Sequence, residues 1–271
     1  MNVRSLGYRT DLLFTRFEGE VTDRGDYLVA RTPKNPTFHW GNFLLFDRAP
    51  QGGDFERWTA VFQKEFSGTP ELNHVAIGWN EGEPGHIEPF LKAGYELNDN
   101  VVLSTDAVHR PPKFCEEAEL RPIREDWEWE AVAANKVLGR DPIYEEASYI
   151  SFSNRQTAMR RRMVAEGLGL WLGAFLDGRL AGDLGIFVFE GLGRFQAVDT
   201  HPDFRRRGVC GALVHHAATH ALNHMGAQRL VMVADAHYHA AKIYESVGFQ
   251  PTERQIGVSW WPREPKQAQT G

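Results

Sequence analysis

The sequence predicts an α/β protein made of two mixed-sheet (α+β) units in tandem, and three observations carry that prediction. From Phe195 the chain reads strand, short arginine-rich loop, helix, apolar strand, short helix and final strand. From Asn42 the same order runs in fainter form, and Phe43 to Gly94 spans about the same length as Ala197 to Gly248, as expected of an internal repeat at domain scale. Between the two, Asp177-Gly178 joins the alternating runs LWLGAFL and RLAGDLGIFVF, the signature of a β-hairpin.

In the first unit, NFLLFD (42–47) and HVAIGW (74–79) read as strands on either side of DFERWTAVFQKEF (54–66). The last is an amphipathic helix with Asp54 as its expected cap. IEPFLKAGYEL gives a short helix closed at Gly94, and NVVLS a last strand. The polar, proline-bearing connector HRPPKF then places the unit boundary at 113/114. The second unit, 114–263, opens with a strand in AELRPI, a helix in EDWEWEAVAANKVL and another from about Tyr144. After the hairpin come FQAVDT, the helix ALVHHAATHALNHM, the buried strand LVMVA, the helix AAKIYESV with Gly248 as its stop signal, and QIGVSW. Residues 264–271 form a polar tail expected to be disordered.

Composition narrows the function. A chain of 271 residues with 30 Lys and Arg against 36 Asp and Glu carries a net charge of −6. It therefore lacks a general nucleic-acid footprint, and its arginine clusters must act locally. Arg160, Arg161 and Arg162 fan around a helix and read as a solvated face. No apolar run reaches membrane-spanning length and the N-terminus lacks a signal-peptide core, so no membrane partner and a cytoplasmic location are expected. Cys115 and Cys210 lie far apart without CxxC spacing, which reads as two free thiols. His216, His220 and His224 follow i, i+4 spacing but lie opposite the apolar face with no carboxylate at helical reach. No metal is expected there.

The chemistry concentrates where the strand FQAVDT meets the following helix. Unpaired N–H groups of a first helical turn, the helix dipole, and glycines that permit close approach make an anion cradle. Gly208 and Gly211 supply the glycines, and Arg205, Arg206 and Arg207 put full charges on the rim. Several N–H donors and more than one guanidinium suit a pyrophosphate better than a lone carboxylate.

Arg205, Arg206, Arg207, Gly208, Val209 and Cys210 resemble the acyl-CoA loop of the GNAT acetyltransferases: Arg or Gln, two residues, Gly, one residue, Gly or Ala. Cys210 departs from the last position but is small. A second signature, Ala, two residues, Leu or Ile, Tyr, then Gly-Phe, resembles Ala240, Ile243, Tyr244 and Gly248-Phe249. His237 stands where Asn is common. The resemblance implies the GNAT fold from about Ala118 to Pro262 and acetyl-CoA as cosubstrate of an N-acetyltransferase. Its binding residues would be Val198, Thr200, Arg205, Arg206, Arg207, Gly208, Val209, Cys210, Gly211, Ala212 and Ala240. Tyr244 becomes the acid that protonates the leaving thiolate, or else a tyrosine filling the sheet–helix interface. Family members that use a strand glutamate as base place it eleven residues before the loop, and here that residue is Arg194. The base is left among Asp199, His201, Glu145, Glu146 and ordered water.

In this family the link between the first two helices lines the acceptor site. Asp141, Tyr144, Glu145 and Glu146 there would favour a cationic or polar amine, of a small molecule or a peptide, or would simply complement a helix dipole. The first unit has APQGGDFERW in place of RRRGVCG, so one cofactor per chain is expected, with a homodimer allowed. A non-catalytic acyl-CoA-binding sensor or scaffold is the alternative function.

Overall fold

The computed structural model describes residues 1–236 and 240–262. The expected tail and His237 lie outside the described residues.

The first unit holds α1 (Leu6–Glu18), β1 (Glu20–Asp23), β2 (Tyr27–Arg31), β3 (Phe43–Phe46), α2 (Asp54–Phe66), β4 (Val75–Trp79), α3 (Glu88–Lys92) and β5 (Glu96–Thr105). The second holds β6 (Glu119–Pro122), α4 (Asp126–Leu138), α5 (Glu146–Ala165), β7 (Gly169–Leu176), β8 (Arg179–Phe189), β9 (Leu192–Thr200), α6 (Val209–His224), β10 (Arg229–Asp235), α7 (Ala240–Glu245) and β11 (Gln250–Trp260). All the strands join one mixed sheet in the order β1-β2-β3-β4-β11-β5-β10-β9-β8-β7-β6.

That order is symmetric about the β11/β5 pair except for the extra edge strand β6. β3 runs parallel to β4 as β9 does to β10, while β4 takes β11 and β10 takes β5 as antiparallel neighbours. The two units have exchanged their last strands. The repeat also holds at the level of single residues, because Gly53 and Gly208 both precede their helices at φ +84°. Only glycine adopts that left-handed geometry at little steric cost. The expected boundary at 113/114 falls in the connector between β5 and β6, whereas the sheet runs unbroken through both units.

Apolar alternation decides which helix lies where. Val101, Leu103, Ile256 and Val258 belong to the clusters that bury α2, α3, α6 and α7, so these four helices share one face. The opposite face carries α1, α4 and α5 through Tyr8, Leu12, Phe14, Trp129, Val132, Met159 and Met163. The helix α1 and the strands β1 and β2 were not anticipated from the sequence. Ser5 caps α1, its side chain accepting from the Tyr8 N–H, and buried Tyr8, Leu12 and Thr15 supply the inward face. Tyr8 also donates its hydroxyl to the Ile256 carbonyl at 2.7 Å, which ties α1 to the exchanged strand.

Candidate active site

β9 and β10 pair only where Leu192–Arg194 face Arg229–Val231. Beyond that, β9 pairs with β8 alone and β10 with β5, so the sheet opens between them. A bulge sharpens the opening. Opposite Asp183–Gly185 the strand β9 carries one extra residue, and Ala197 takes φ +45°. Phe195 and Val198, three apart, consequently both pack toward α6, which a regular strand of period two cannot do.

The loop after β9 curls through Arg206 at φ +59° and Gly208 at φ +84°, and α6 begins at Val209 with no side-chain cap. Left-handed residues in such a turn converge backbone N–H groups into a concavity for anions. Val209 and Ala212 are buried beneath the first turn, so only their backbone can meet a ligand. Arg205 donates to the Thr200 carbonyl at 3.3 Å, Arg207 pairs with Glu117 at 3.1 Å, and Arg206 is exposed. The glycines have a second use that the sequence did not indicate. A Cβ on Gly208 would stand 3.0 Å from the Phe114 backbone, and one on Gly211 3.1 Å from Pro111. The closest approach that these glycines allow is therefore that of the connector between the units.

On the same face, Tyr244 is 5% exposed within the core that holds Val198, Phe195 and Phe249, and Ala240 packs at its edge. Cys210 lies beside Asp199, and burial followed by that carboxylate pushes its thiol up to about 12. It stays protonated and is a poor nucleophile. His201 caps the turn Pro202–Phe204, its Nδ1 accepting from the Asp203 N–H at 3.2 Å, which is the loop-packing geometry. Among the described residues no three His, Cys, Asp or Glu side chains are grouped to hold a metal ion, and no helix is long and apolar enough to cross a membrane.

The other face holds a buried polar centre. Asp199 faces Asp183 as a register partner across β9 and β8. Burial raises both carboxyls, with Lys136 and Arg160 pulling in the opposite sense. Asp183 accepts the Trp171 indole N–H at 2.9 Å, and the same ring is contacted by Lys136 at 4.8 Å and Arg160 at 5.4 Å. Asp183 Oδ2, Lys136 Nζ and Arg160 Nε have no hydrogen-bond partner. Burial depresses both cations, Lys136 to about 7 and Arg160 to about 10.

Where Gln196 and Val233 part, a cavity of about 190 Å³ opens toward α1 and α5. Its walls come from both units: Tyr8 and Asp11 of α1, Trp40, Asn100 of β5, Arg160 of α5 and Gln255 of β11 all reach it. Arg194, which stands where a strand glutamate would, donates to Asp11 Oδ1 at 2.7 Å and to Thr10. A larger hollow of about 290 Å³ at the β1 edge, lined by Met1, Arg9, Arg16 and Asp23, is remote from the opening.

The residues expected at the acceptor site each have partners within the chain. Glu145 caps α5, accepting from the Ala147 and Ser148 N–H groups, and Glu146 pairs with Arg140 at 3.0 Å. Tyr144 stacks on Trp261 at 5.5 Å, with His39 of the first unit 6.4 Å away. Both glutamates thus do what a helix N-terminus asks of them.

A model of the acetyltransferase (GNAT) family matches residues 125–249. The C-terminal half of the chain belongs to the GNAT family. Such proteins are generally acetyl-CoA-dependent N-acetyltransferases. No sequence relative was found among proteins of curated function. Among solved structures, a conserved protein of unknown function from Staphylococcus epidermidis ATCC 12228 superposes with a TM-score of 0.71 at 11% identity, over 89% of this chain and 93% of that one. A GCN5-related N-acetyltransferase from Kribbella flavida gives 0.65 at 14% identity, over 96% of each chain. A tandem GNAT protein from the clavulanic acid biosynthesis pathway gives 0.52 at 16% identity, over 80% of this chain and 77% of that one. The likenesses establish the tandem GNAT fold.

Within that GNAT frame, Arg160 was misjudged from sequence. It was expected on a solvated face with Arg161 and Arg162, which do pair outward with Asp126 and Glu18. Arg160 instead is 5% exposed. Three adjacent helix positions point about 100° apart, so they need not share a face, and Thr157 and Met163 on the same buried stripe were the available signal.

Proposed function

We propose that this protein transfers an acetyl group from acetyl-CoA to an amine by direct attack on the thioester. One observation carries the reading: Asp199 sits where the two faces of the sheet communicate, within electrostatic reach of Cys210 at the start of α6 and of Lys136 and Arg160 on the other side.

The cosubstrate fits the α6 side. The backbone N–H groups of Val209, Cys210 and Gly211, rimmed by Arg205, Arg206 and Arg207, would hold its pyrophosphate, and the wedge between β9 and β10 would admit the acyl arm past Val198 and Thr200. The first unit supplies the contrast. There Asp54 accepts from the Gln51 N–H at 2.8 Å and pairs with Arg48 and Arg57, so a carboxylate of the chain itself fills the corresponding cradle. Gly53, rather than Asp54, is the cap of that helix.

Acetyl-CoA supplies an activated acyl group. Asp199, its carboxyl raised by burial toward the range useful to a base, takes the proton that the amine loses as its nitrogen bonds to the acyl carbon. Tyr244 gives its phenolic proton to the departing sulfur, and the proton taken by Asp199 returns to the phenol through solvent. His201, Glu145 and Glu146 are set aside as bases because each is engaged in a cap or an ion pair. Thiol release from acetyl-CoA with a panel of amines tests this. Binding of acetyl-CoA with no release from any amine would return the protein to the sensor reading.

A further inference from the structure

The cavity shared by the two units is a candidate acceptor site, and the charge lining it bears on what that acceptor would be. Asp11 is its one carboxylate, and both of its oxygens are taken, Oδ1 by Arg194 and Oδ2 by Gln255 Nε2 at 2.6 Å. Arg194 is likewise satisfied, donating also to the Phe195 carbonyl and to Thr10. Arg160 differs. It donates to Gln196 Oε1 at 3.0 Å, its Nε has no acceptor, and it forms no ion pair with any described residue. Lys136 Nζ, behind the shared Trp171 ring, also lacks a partner. Asp183 and Asp199 act on Arg160 from a distance, without an ion pair, and a buried guanidinium at a cavity wall with no carboxylate in contact is suited to receive an anion.

We propose that the acceptor is an amine that also carries a carboxylate, of amino-acid-like chemistry, with the carboxylate against Arg160 and the amine at the opening between Gln196 and Val233. The inference rests on the transferase reading for the fate of the amine. The side chain of such a molecule would lie toward Tyr8 and Trp40, whose rings, 6.1 Å apart, form the apolar end of the cavity. A volume of about 190 Å³, roughly that of six liquid waters, suits an acceptor of amino-acid size. The first unit thus shapes the acceptor site, through α1 and Trp40, although it holds no cofactor. The sequence pointed to a cationic or polar amine beside Asp141, Tyr144, Glu145 and Glu146, outside this cavity.

The test uses pairs of compounds that differ only in the carboxylate: phenylalanine against phenethylamine, leucine against isoamylamine, methionine against its amide. Thiol release from acetyl-CoA and calorimetric binding are read in parallel on the full chain. The expected result is a preference of about 30-fold or more for the carboxylated member, the scale of losing one partner from a buried charge pair. That preference should collapse toward unity in Arg160→Gln, and the wild-type comparison stands without the variant should it fold poorly. Equal or better turnover of the decarboxylated amines overturns the inference and leaves the transferase reading intact. Carboxylate-dependent binding without thiol release supports the inference and sinks the transferase reading. Neither binding nor release by any carboxylated member overturns the inference.

Discussion

Asp183 and Asp199 stand directly opposite one another on adjacent strands, two carboxyl groups in one register pair. Like charges so placed repel, and burial penalises each further, so the pair cannot hold two full charges cheaply. Lys136 and Arg160 offset part of this from the helices above. The fully buried member is Asp183, whose Oδ1 is held by Trp171. Asp199, half-buried, is the member to which the proposed transfer assigns the base.

That division predicts the pH profile of the proposed transfer. A base acts only when ionised, and burial raises the Asp199 carboxyl, so kcat/KM should climb with pH through an acid limb above the ordinary carboxylate range. Asp199→Asn should lower kcat by about 10²-fold or more and remove the limb. A wild-type profile in the variant would assign deprotonation to water.

Stability should run the other way. The Asp183 carboxyl is pushed from 3.8 up to about 7, chiefly by burial. Between those values the folded chain holds a proton that the unfolded chain has released, so Asp183 makes stability fall as pH rises across that window. Urea unfolding at a series of pH values should show the decline in wild type and a flatter curve in Asp183→Asn.

Tyr244→Phe keeps the ring in the cluster with Val247 and Phe249 and removes only the phenolic hydroxyl. The expected loss is about 10²-fold in kcat with acetyl-CoA affinity nearly kept. Turnover at the wild-type rate would leave the tyrosine as packing.

Gly208→Val tests the cradle less cleanly than its sequence suggests. The residue sits at φ +84° against the backbone of Phe114 and Cys115, so a branched side chain should cost about 1–3 kcal/mol in strain and displace the connector. Thermal unfolding should therefore drop along with cofactor affinity. A variant that lost affinity at unchanged stability would show that the connector yields freely.

One acetyl-CoA per chain is expected by calorimetry, because Asp54 already occupies the anion position of the first unit. Asp54→Asn frees Arg48 and Arg57, whose side chains are largely exposed, so it should destabilise the fold by only about 1 kcal/mol, the scale of solvent-screened ion pairs. Two equivalent sites in the wild type would overturn this assignment.

Much of this architecture was legible because local signals agreed with the final fold. The Gly208 loop, the Asp177-Gly178 turn and the Ile243-Tyr244 helix each carry their geometry in adjacent residues. The rest depended on partners far along the chain. Nothing around Arg194 indicates that Asp11 will meet it, and nothing near Gln255 indicates that its strand will enter the other unit. Arg160 resembles its two neighbours in composition and differs from them only in direction.

The exchanged strands also constrain how the chain reaches its native state. The edge of β4 finds its neighbour only when β11 arrives, at a sequence separation of well over half the chain, and β5 must wait for β10. Neither half can close its sheet alone, so during synthesis the first unit stays incomplete, with an unpaired apolar edge that invites wrong pairing. Folding should be slow and cooperative across the whole chain, because contacts of such high order are made late. Severing β11 should unravel both units rather than one.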